Sequence, residues 1–268
     1  MPNWKKIDAD QLDADLTDIA DAIRSKTGGT EPVPFDQMAQ EIAGISAGGN
    51  DGQWWLDMIA TKIYCDSLFA YSTIATFPNV VIQMPITTSM AYMFQKMPNL
   101  ASPVSIYAPA GVSYNQTFRE TPNLPEITIE GGNIEANWAY AFYKSGARKI
   151  TMQNIGKITN ADNMFCDCEK LVEIDADLDL TDGASVNRMF NMCVALEKVR
   201  FVTGAIKKSI SFVYSNKLTL DSLQSIVDGL ADLTGATAQT LTLAGASGPK
   251  LTDAQKTAIS AKNWTLAY

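Results

Sequence analysis

The chain has 268 residues, of which 46% are hydrophobic, and this is enough to bury the core of one elongated domain with a small appendage. Its net charge of −8 repels phosphate backbones and argues against nucleic acid as a partner, and no apolar run is long enough for membrane insertion. The absence of histidine excludes catalytic triads that depend on it and metal sites that use it as a ligand.

Residues 1–45 are predicted to form a helical attachment or oligomerisation module. Four apolar residues step by 4, 3 and 4 positions, which is typical of one face of an amphipathic helix: Leu12, Leu16, Ile19 and Ile23. A second helix is predicted to begin at Pro34. Two interpretations stay open. The helices form a hairpin that packs on itself, or they form a seam through which chains assemble into a homo-oligomer such as a trimer.

Residues 46–53 are rich in glycine and small polar residues, and this composition predicts a flexible linker. Trp54 and Trp55 follow the linker. We expect them to form the N-terminal cap of the domain that spans residues 54–218. The alternative interpretation is that the two rings stack on a ligand.

Residues 54–218 contain an internal repeat centred on phenylalanine. Six phenylalanines are separated by 24, 24, 23, 25 and 22 residues: Phe94, Phe118, Phe142, Phe165, Phe190 and Phe212. A short segment of alternating apolar and polar residues, typical of a strand with one buried face, follows each of the first five. A period in the twenties predicts a repeat solenoid of strand-plus-turn units, with the phenylalanines stacked above one another.

The outward side chains of these strands are the candidate site for a partner. One outward row is predicted to hold Ser105, Thr128, Thr151, Asp175 and Arg200, and the next to hold Tyr107, Glu130, Gln153 and Asp177. Stacked strands turn such rows into an extended surface that suits recognition. The candidate partner-binding residues are Tyr107, Glu130, Thr151, Gln153 and Arg200. The alternative is an ordinary solvated sheet face.

Residues 219–268 are predicted to form a capping region. Thr219 has the character of a helix N-cap, and Thr252 with Gln255 forms a capping box before a second helix. Strands are predicted at 240–243 and 264–268. Together these elements would cover the open edge of the repeat domain.

Two groups of residues suggest metal binding, and each has a simpler interpretation. Cys166, Cys168 and Cys193 could hold zinc, but their spacing is unusual for zinc and they are better explained as small buried groups. The aspartates between Asp175 and Asp182 resemble the opening of a calcium loop without its glycine and glutamate, and a solvated edge explains them better. No pair of carboxylates lies in a catalytic frame. We therefore expect no metal, no cofactor and no catalytic residues, and a chain that is not an enzyme.

Three segments resemble known families. The frame Met-Phe-x-x-Cys-x-x-Leu, complete at 164–171 and 189–196, resembles the BspA-like leucine-rich repeats of bacterial surface and phage proteins. Residues 16–28 with 35–42 look like an N-terminal module that is common in phage tail and prophage proteins. Residues 251–267 are similar to the C-terminal cap of phage leucine-rich-repeat proteins.

The repeat and these resemblances imply an α/β repeat solenoid. It would be a leucine-rich-repeat-like stack of strand-plus-turn repeats with a helical N-terminal module and an α/β C-terminal cap. The implied function is that of a phage tail or baseplate protein, structural or receptor-binding. Its partner would be a host cell-surface protein or glycan, or another virion tail protein. The first residues contain no signal peptide, so we expect synthesis in the host cytoplasm and a place in the virion tail. The alternative is a bacterial surface adhesin of the BspA type.

Overall fold

The computed structural model describes residues 59–77 and 79–268. In this part of the chain, eleven β-strands form three sheets, and two α-helices are complete. The predicted fold class, an α/β repeat solenoid of the leucine-rich-repeat kind, is wrong, because the described residues form mostly parallel-strand sheets with few helices. Both complete helices follow the last strand of the largest sheet. The predicted helical module (1–45), the linker (46–53) and the pair Trp54–Trp55 lie outside the described residues.

The largest sheet has six strands, and all its pairings are parallel. In spatial order across the sheet, the strands are β1 (Val81–Gln83), β2 (Val104–Tyr107), β3 (Glu126–Glu130), β5 (Lys149–Gln153), β7 (Glu173–Leu178) and β8 (Lys198–Phe201). Inward side chains such as Ile106, Ile129 and Met152 are at most 3% exposed. Because side chains alternate along a strand, the sheet has one core face and one solvent face.

The phenylalanines stack beneath this sheet. Neighbouring rings have centroids 4.6–5.9 Å apart and interplanar angles of 2–24° in a continuous column: Phe69, Phe94, Phe118, Phe142, Phe165, Phe190 and Phe212. The last six rings of this column are fully buried or 1% exposed. The regular interval between phenylalanines therefore places one ring above the next, because each passage of the chain advances the sheet by one strand.

Each of the first six phenylalanines of the column is the fifth residue of an eight-residue turn, and we call these segments the aromatic turns. They are 65–72, 90–97, 114–121, 138–145, 161–168 and 186–193. In every one of them the residues two before and two after the phenylalanine have φ between +53° and +64°. A side-chain-bearing residue with positive φ cannot continue a right-handed helix. This conformation is the physical reason why the repeats contain turns and no helices, and why the predicted α/β class fails.

The aromatic turns are joined by backbone hydrogen bonds. In each of the first five turns, three N–H groups donate to carbonyl oxygens of the following turn. In the fifth turn, for example, Asn163 donates to Asn187, Phe165 to Met189 and Asp167 to Asn191, over 2.8–3.0 Å between N and O. The turns therefore extend the hydrogen-bonded ladder of the sheet around the core. The backbone N–H groups of each turn bond to the next turn, as each strand bonds to the next strand.

The rest of the described chain forms two small sheets and the helices. Strands β4 (Ala136–Asn137) and β6 (Ile158–Asn160) pair in parallel. Strands β9 (Ile210–Phe212), β10 (Gln239–Leu243) and β11 (Trp264–Ala267) form a parallel sheet in the order β11-β10-β9. Helix α1 (Leu220–Gly229) is capped by the Thr219 side chain, and α2 (Asp253–Ala261) has the predicted capping box of Thr252 and Gln255. A short 3₁₀-helix spans Gly248–Lys250.

Candidate recognition surface

The solvent face of the six-stranded sheet, which we call the outer face, carries the residues that were predicted to bind a partner. The strand register aligns Tyr107 of β2 with Glu130 of β3, and Glu130 with Gln153 of β5. Tyr107 is half-buried, whereas Glu130 and Gln153 are exposed. Adjacent strands lie about 4.8 Å apart, so these three side chains form one continuous row. Thr151 lies beside this row, aligned with Thr128 and Asp175.

Arg200 takes a different place from the predicted one. From Glu173 to Asp177 strand β7 advances four positions, while its partner β8 advances two, from Lys198 to Arg200. This irregularity pairs Arg200 with Asp177, whereas the alternation of residues along the strands predicts that it lies in the row of Asp175. Such a register shift cannot be seen in the alternation of one strand, because it depends on how two strands pair.

Arg200 is also engaged by its neighbours. Its Nε lies 2.8 Å from Asp177 Oδ1, and its Nη2 lies 3.3 Å from Asp175 Oδ1. Hydrogen bonds from Lys149 and then from Arg200 lower the pKa of Asp175, and the two aspartates raise the pKa of Arg200. Lys149 and Lys198 pair with Glu173 on the same face. The β5–β8 half of the outer face is therefore a network of ion pairs that neutralise one another.

Tyr107, Glu130 and Gln153 differ from Arg200 in this respect. Within the described residues, none of their side chains makes a hydrogen bond or an ion pair. We call these three residues the open row. Their phenol, carboxylate and amide groups can all hydrogen-bond to an external partner, and the tyrosine ring adds apolar contact area.

A second polar surface was not predicted from the sequence. It lies on the outside of the aromatic turns, where aromatic rings alternate with cations. Lys96 Nζ lies 5.1 Å from the centroid of the Tyr71 ring, and Arg119 and Lys144 lie 5.4 and 5.2 Å from that of Tyr143. The signal was present in the sequence, because these side chains are one or two positions after a core phenylalanine. We call this surface the turn face.

The aspartates of the suspected calcium loop are engaged within the protein. Asp175 and Asp177 pair with Arg200. Asp179 accepts a hydrogen bond from the backbone N–H of Thr181, and Asp182 lies 3.0 Å from Lys157 Nζ. The described residues hold no cluster of three His, Cys, Asp or Glu side chains arranged for a metal ion. The carboxylates of Asp175, Asp177, Asp179 and Asp182 have cationic or backbone partners instead.

The cysteines considered for zinc are buried free thiols. Cys168 donates to the carbonyl of Phe142 over 2.9 Å, and Cys193 donates to that of Phe165 over 3.1 Å. Burial raises the pKa of Cys168 and of Cys193 well above that of an ordinary thiol, and raises that of Cys166 as well. A thiol with a raised pKa is a poor metal ligand and a poor nucleophile, because both roles need the thiolate.

The predicted oligomerisation residues Leu12, Leu16, Ile19 and Ile23 lie outside the described residues. In the part of the chain that is described, no helix combines the length and the apolar character needed to cross a lipid bilayer. Comparisons of the chain with protein-family models, with curated proteins and with solved structures find no match.

Proposed function

We propose that this chain is a non-enzymatic recognition protein of a phage tail or baseplate, and that it binds its partner through the open row. The observation that carries the proposal is the alignment of Tyr107, Glu130 and Gln153 on three adjacent strands, with no partner for these side chains among the described residues. Groups that can hydrogen-bond and are left without a partner are available to a ligand.

The buried side chains and paired strands beneath the open row favour binding. Ile106, Ile129 and Met152 lie on the core side of the same strands and are at most 3% exposed. The strands are joined by parallel backbone pairing on both sides of β3. The backbone of a row held on such a base loses little conformational freedom on binding, so the ordering cost is confined to the side chains.

The chemistry of the open row suits a host cell-surface glycan or protein, or another tail protein. A tyrosine ring packs on the apolar face of a sugar or on an aliphatic side chain, and a carboxylate and an amide fix hydroxyl and amide groups by hydrogen bonds. The place in a tail is proposed from the sequence resemblances at residues 16–28, 35–42 and 251–267. Assembly through Leu12, Leu16, Ile19 and Ile23 would add avidity to a modest single-site affinity.

The proposal predicts that the open row is required for attachment. Replacing Tyr107, Glu130 and Gln153 together with alanine should reduce attachment of the purified protein to host cells about tenfold or more, because interface energy concentrates in a few residues. Its melting temperature should stay close to that of the wild type, since the three side chains have no partner in the described fold. Flow cytometry of labelled protein on host cells measures attachment.

The turn face offers a control of matched composition. Gln116, Glu120 and Tyr143 are the same three residue types on a different surface. Replacing them with alanine should leave attachment unchanged. Equal attachment by the wild type and the open-row variant would refute the role of the open row, and a loss confined to the control would move recognition to the turn face. Attachment that neither variant reduces would count against both surfaces.

A further inference from the structure

Four large aliphatic side chains are exposed in the segments that precede the first four aromatic turns. Their exposed fractions are 52%, 47%, 43% and 38%, and we call the group the aliphatic patch: Ile63, Ile86, Val112 and Ile134. A single exposed aliphatic residue is common on protein surfaces, whereas a contiguous group indicates a surface that another segment or molecule covers. The patch is therefore a candidate docking surface if its members are neighbours in space.

Backbone pairing places these residues side by side. The N–H of Val112 donates to the carbonyl of Thr88 over 2.9 Å, and the N–H of Thr88 donates to that of Ile63 over 2.7 Å. Parallel bridges join four residues of successive passages of the chain: Tyr64, Ser89, Ser113 and Asn137. Ile86 and Ile134 lie three residues before the second and the fourth of these bridged residues. The patch therefore extends without interruption over four neighbouring passages.

The equivalent position becomes charged in the next passage. Asn137 pairs with Asn160, so Lys157 takes the place that Ile134 has one passage earlier. Between residues 135 and 193, all of which the structure describes, no large hydrophobic side chain is exposed. The fold of a passage therefore does not require an exposed aliphatic residue at this position, and the patch is a property of the first four passages.

The part of the chain that precedes the described residues joins them at this patch. Ile59 is the first residue of the described part, four positions before Ile63. The helix predicted to begin at Pro34 carries an apolar stripe that steps by 3, 4 and 3 positions and lies outside the described residues: Phe35, Met38, Ile42 and Ile45. Residues 46–58 connect this stripe to the patch. Even a random coil of that length spans about 20 Å on average, so the connection is long enough.

The stripe and the patch agree in length and in chemistry. In an α-helix, the distance along the axis from Phe35 to Ile45 is about 15 Å. The patch covers three spacings between neighbouring passages from Ile63 to Ile134, which is about 14 Å. Neither surface contains a charged side chain, so their contact removes apolar area from water on both sides. Because the stripe is tethered to the patch, its local concentration exceeds that of a separate partner.

We propose that residues 34–45 dock on the aliphatic patch of the same chain. Phe35, Met38, Ile42 and Ile45 pack against the four aliphatic side chains. This contact anchors the N-terminal module on the first passages, and it leaves the stripe of the first predicted helix free for assembly between chains. The contact stands independently of the recognition function, because the patch shares no residue with the open row.

Methyl NMR of the full chain tests the contact directly. Nuclear Overhauser effects should join the methyl groups of Met38 or Ile42 to those of Ile86 or Val112. In a mixture of isotope-labelled and unlabelled chains, isotope filtering separates contacts within one chain from contacts between two chains. We expect contacts within one chain. Contacts found only between chains would assign the patch to a second copy and overturn the proposal, and so would the absence of any contact.

Placing charges in the patch should release the docked segment. Ile86→Lys and Ile134→Lys are combined, and Lys157 shows that the equivalent position accepts lysine. The amides of residues 36–45 should then exchange with deuterium about tenfold faster or more in the full chain, because a released segment loses its protection. The amides of β3 should keep their protection, since the sheet remains intact. Mass spectrometry of the exchanged protein measures both segments.

Two exposed valines far along the chain offer a matched control. Val194 and Val213 are 39% and 42% exposed and do not belong to the patch. Combining Val194→Lys with Val213→Lys adds the same two charges and should leave the exchange of residues 36–45 unchanged. Equal acceleration by the two double variants would overturn the proposal, as would unchanged exchange in the patch variant.

Discussion

Replacing Phe165 with alanine should lower the free energy of unfolding by about 3–5 kcal/mol. The Phe165 ring is fully buried and stacks between Phe142 at 5.3 Å and Phe190 at 5.6 Å. Alanine removes the buried ring and leaves a cavity in the middle of the column. The neighbouring rings cannot move in to fill it, because the strands and the hydrogen bonds between the aromatic turns hold them in place. Urea unfolding monitored by circular dichroism measures the difference.

Lys207→Ala is the control for this variant, because Lys207 is exposed and its loss should change the stability by no more than about 0.5 kcal/mol. If Phe165→Ala and Lys207→Ala unfold at the same urea concentration, the column of rings is not the core of the protein.

Replacing Gly146 with alanine should destabilise the protein by about 3 kcal/mol, because it forces apart two neighbouring passages of the chain. A methyl group on Gly146 would overlap the backbone carbonyl of Pro122. The two segments cannot separate freely, since the Gly146 N–H donates to the carbonyl of Thr121 over 2.9 Å. Thermal unfolding measures the loss.

Gly245 offers a matched glycine-to-alanine control. A methyl group there would meet no atom within 4 Å, and Gly245 does not have a positive φ. Gly245→Ala should therefore be neutral or stabilise by about 0.4–1 kcal/mol, because it restricts the unfolded chain. We therefore predict that Gly146→Ala lowers the free energy of unfolding, whereas Gly245→Ala leaves it unchanged or raises it. A loss of stability at Gly245 as large as that at Gly146 would show that the close approach at Pro122 is not the cause.

The sequence predicted the strands and the stacked rings better than the fold class. Alternation at Val104 and Ile106, and at Ile127 and Ile129, gives the buried positions of β2 and β3 directly. The phenylalanine intervals predict a column of rings, and the rings stack at 4.6–5.9 Å. Both features depend on the spacing of apolar residues, which a sequence displays.

The conformation between the strands could not be predicted in the same way. Residues such as Tyr92, Lys96, Gln116 and Glu120 adopt positive φ, although none of them is a glycine. Their conformation is imposed by the hydrogen bonds between neighbouring turns, which the local sequence does not encode. The predicted α/β class therefore did not anticipate that the described residues form mostly parallel-strand sheets with few helices.

Only part of the candidate site could be predicted, because spacing along the sequence reveals a row of residues but not an irregular pairing of two strands. Tyr107, Glu130 and Gln153 are each separated by 23 residues, so alternation and spacing together place them in one row. Arg200 lies beyond the irregular pairing of β7 with β8, and its engagement by Asp175 and Asp177 follows from that pairing.

The function proposed for this chain is contact with a host surface from a phage tail. Immunogold electron microscopy of intact phage particles, with antibodies raised against the full chain, tests it most directly. We expect gold label at the tail or baseplate, and loss of particle adsorption when the same antibodies cover the outer face. Label on the head alone, or label only in the debris of lysed cells with none on intact particles, would contradict it.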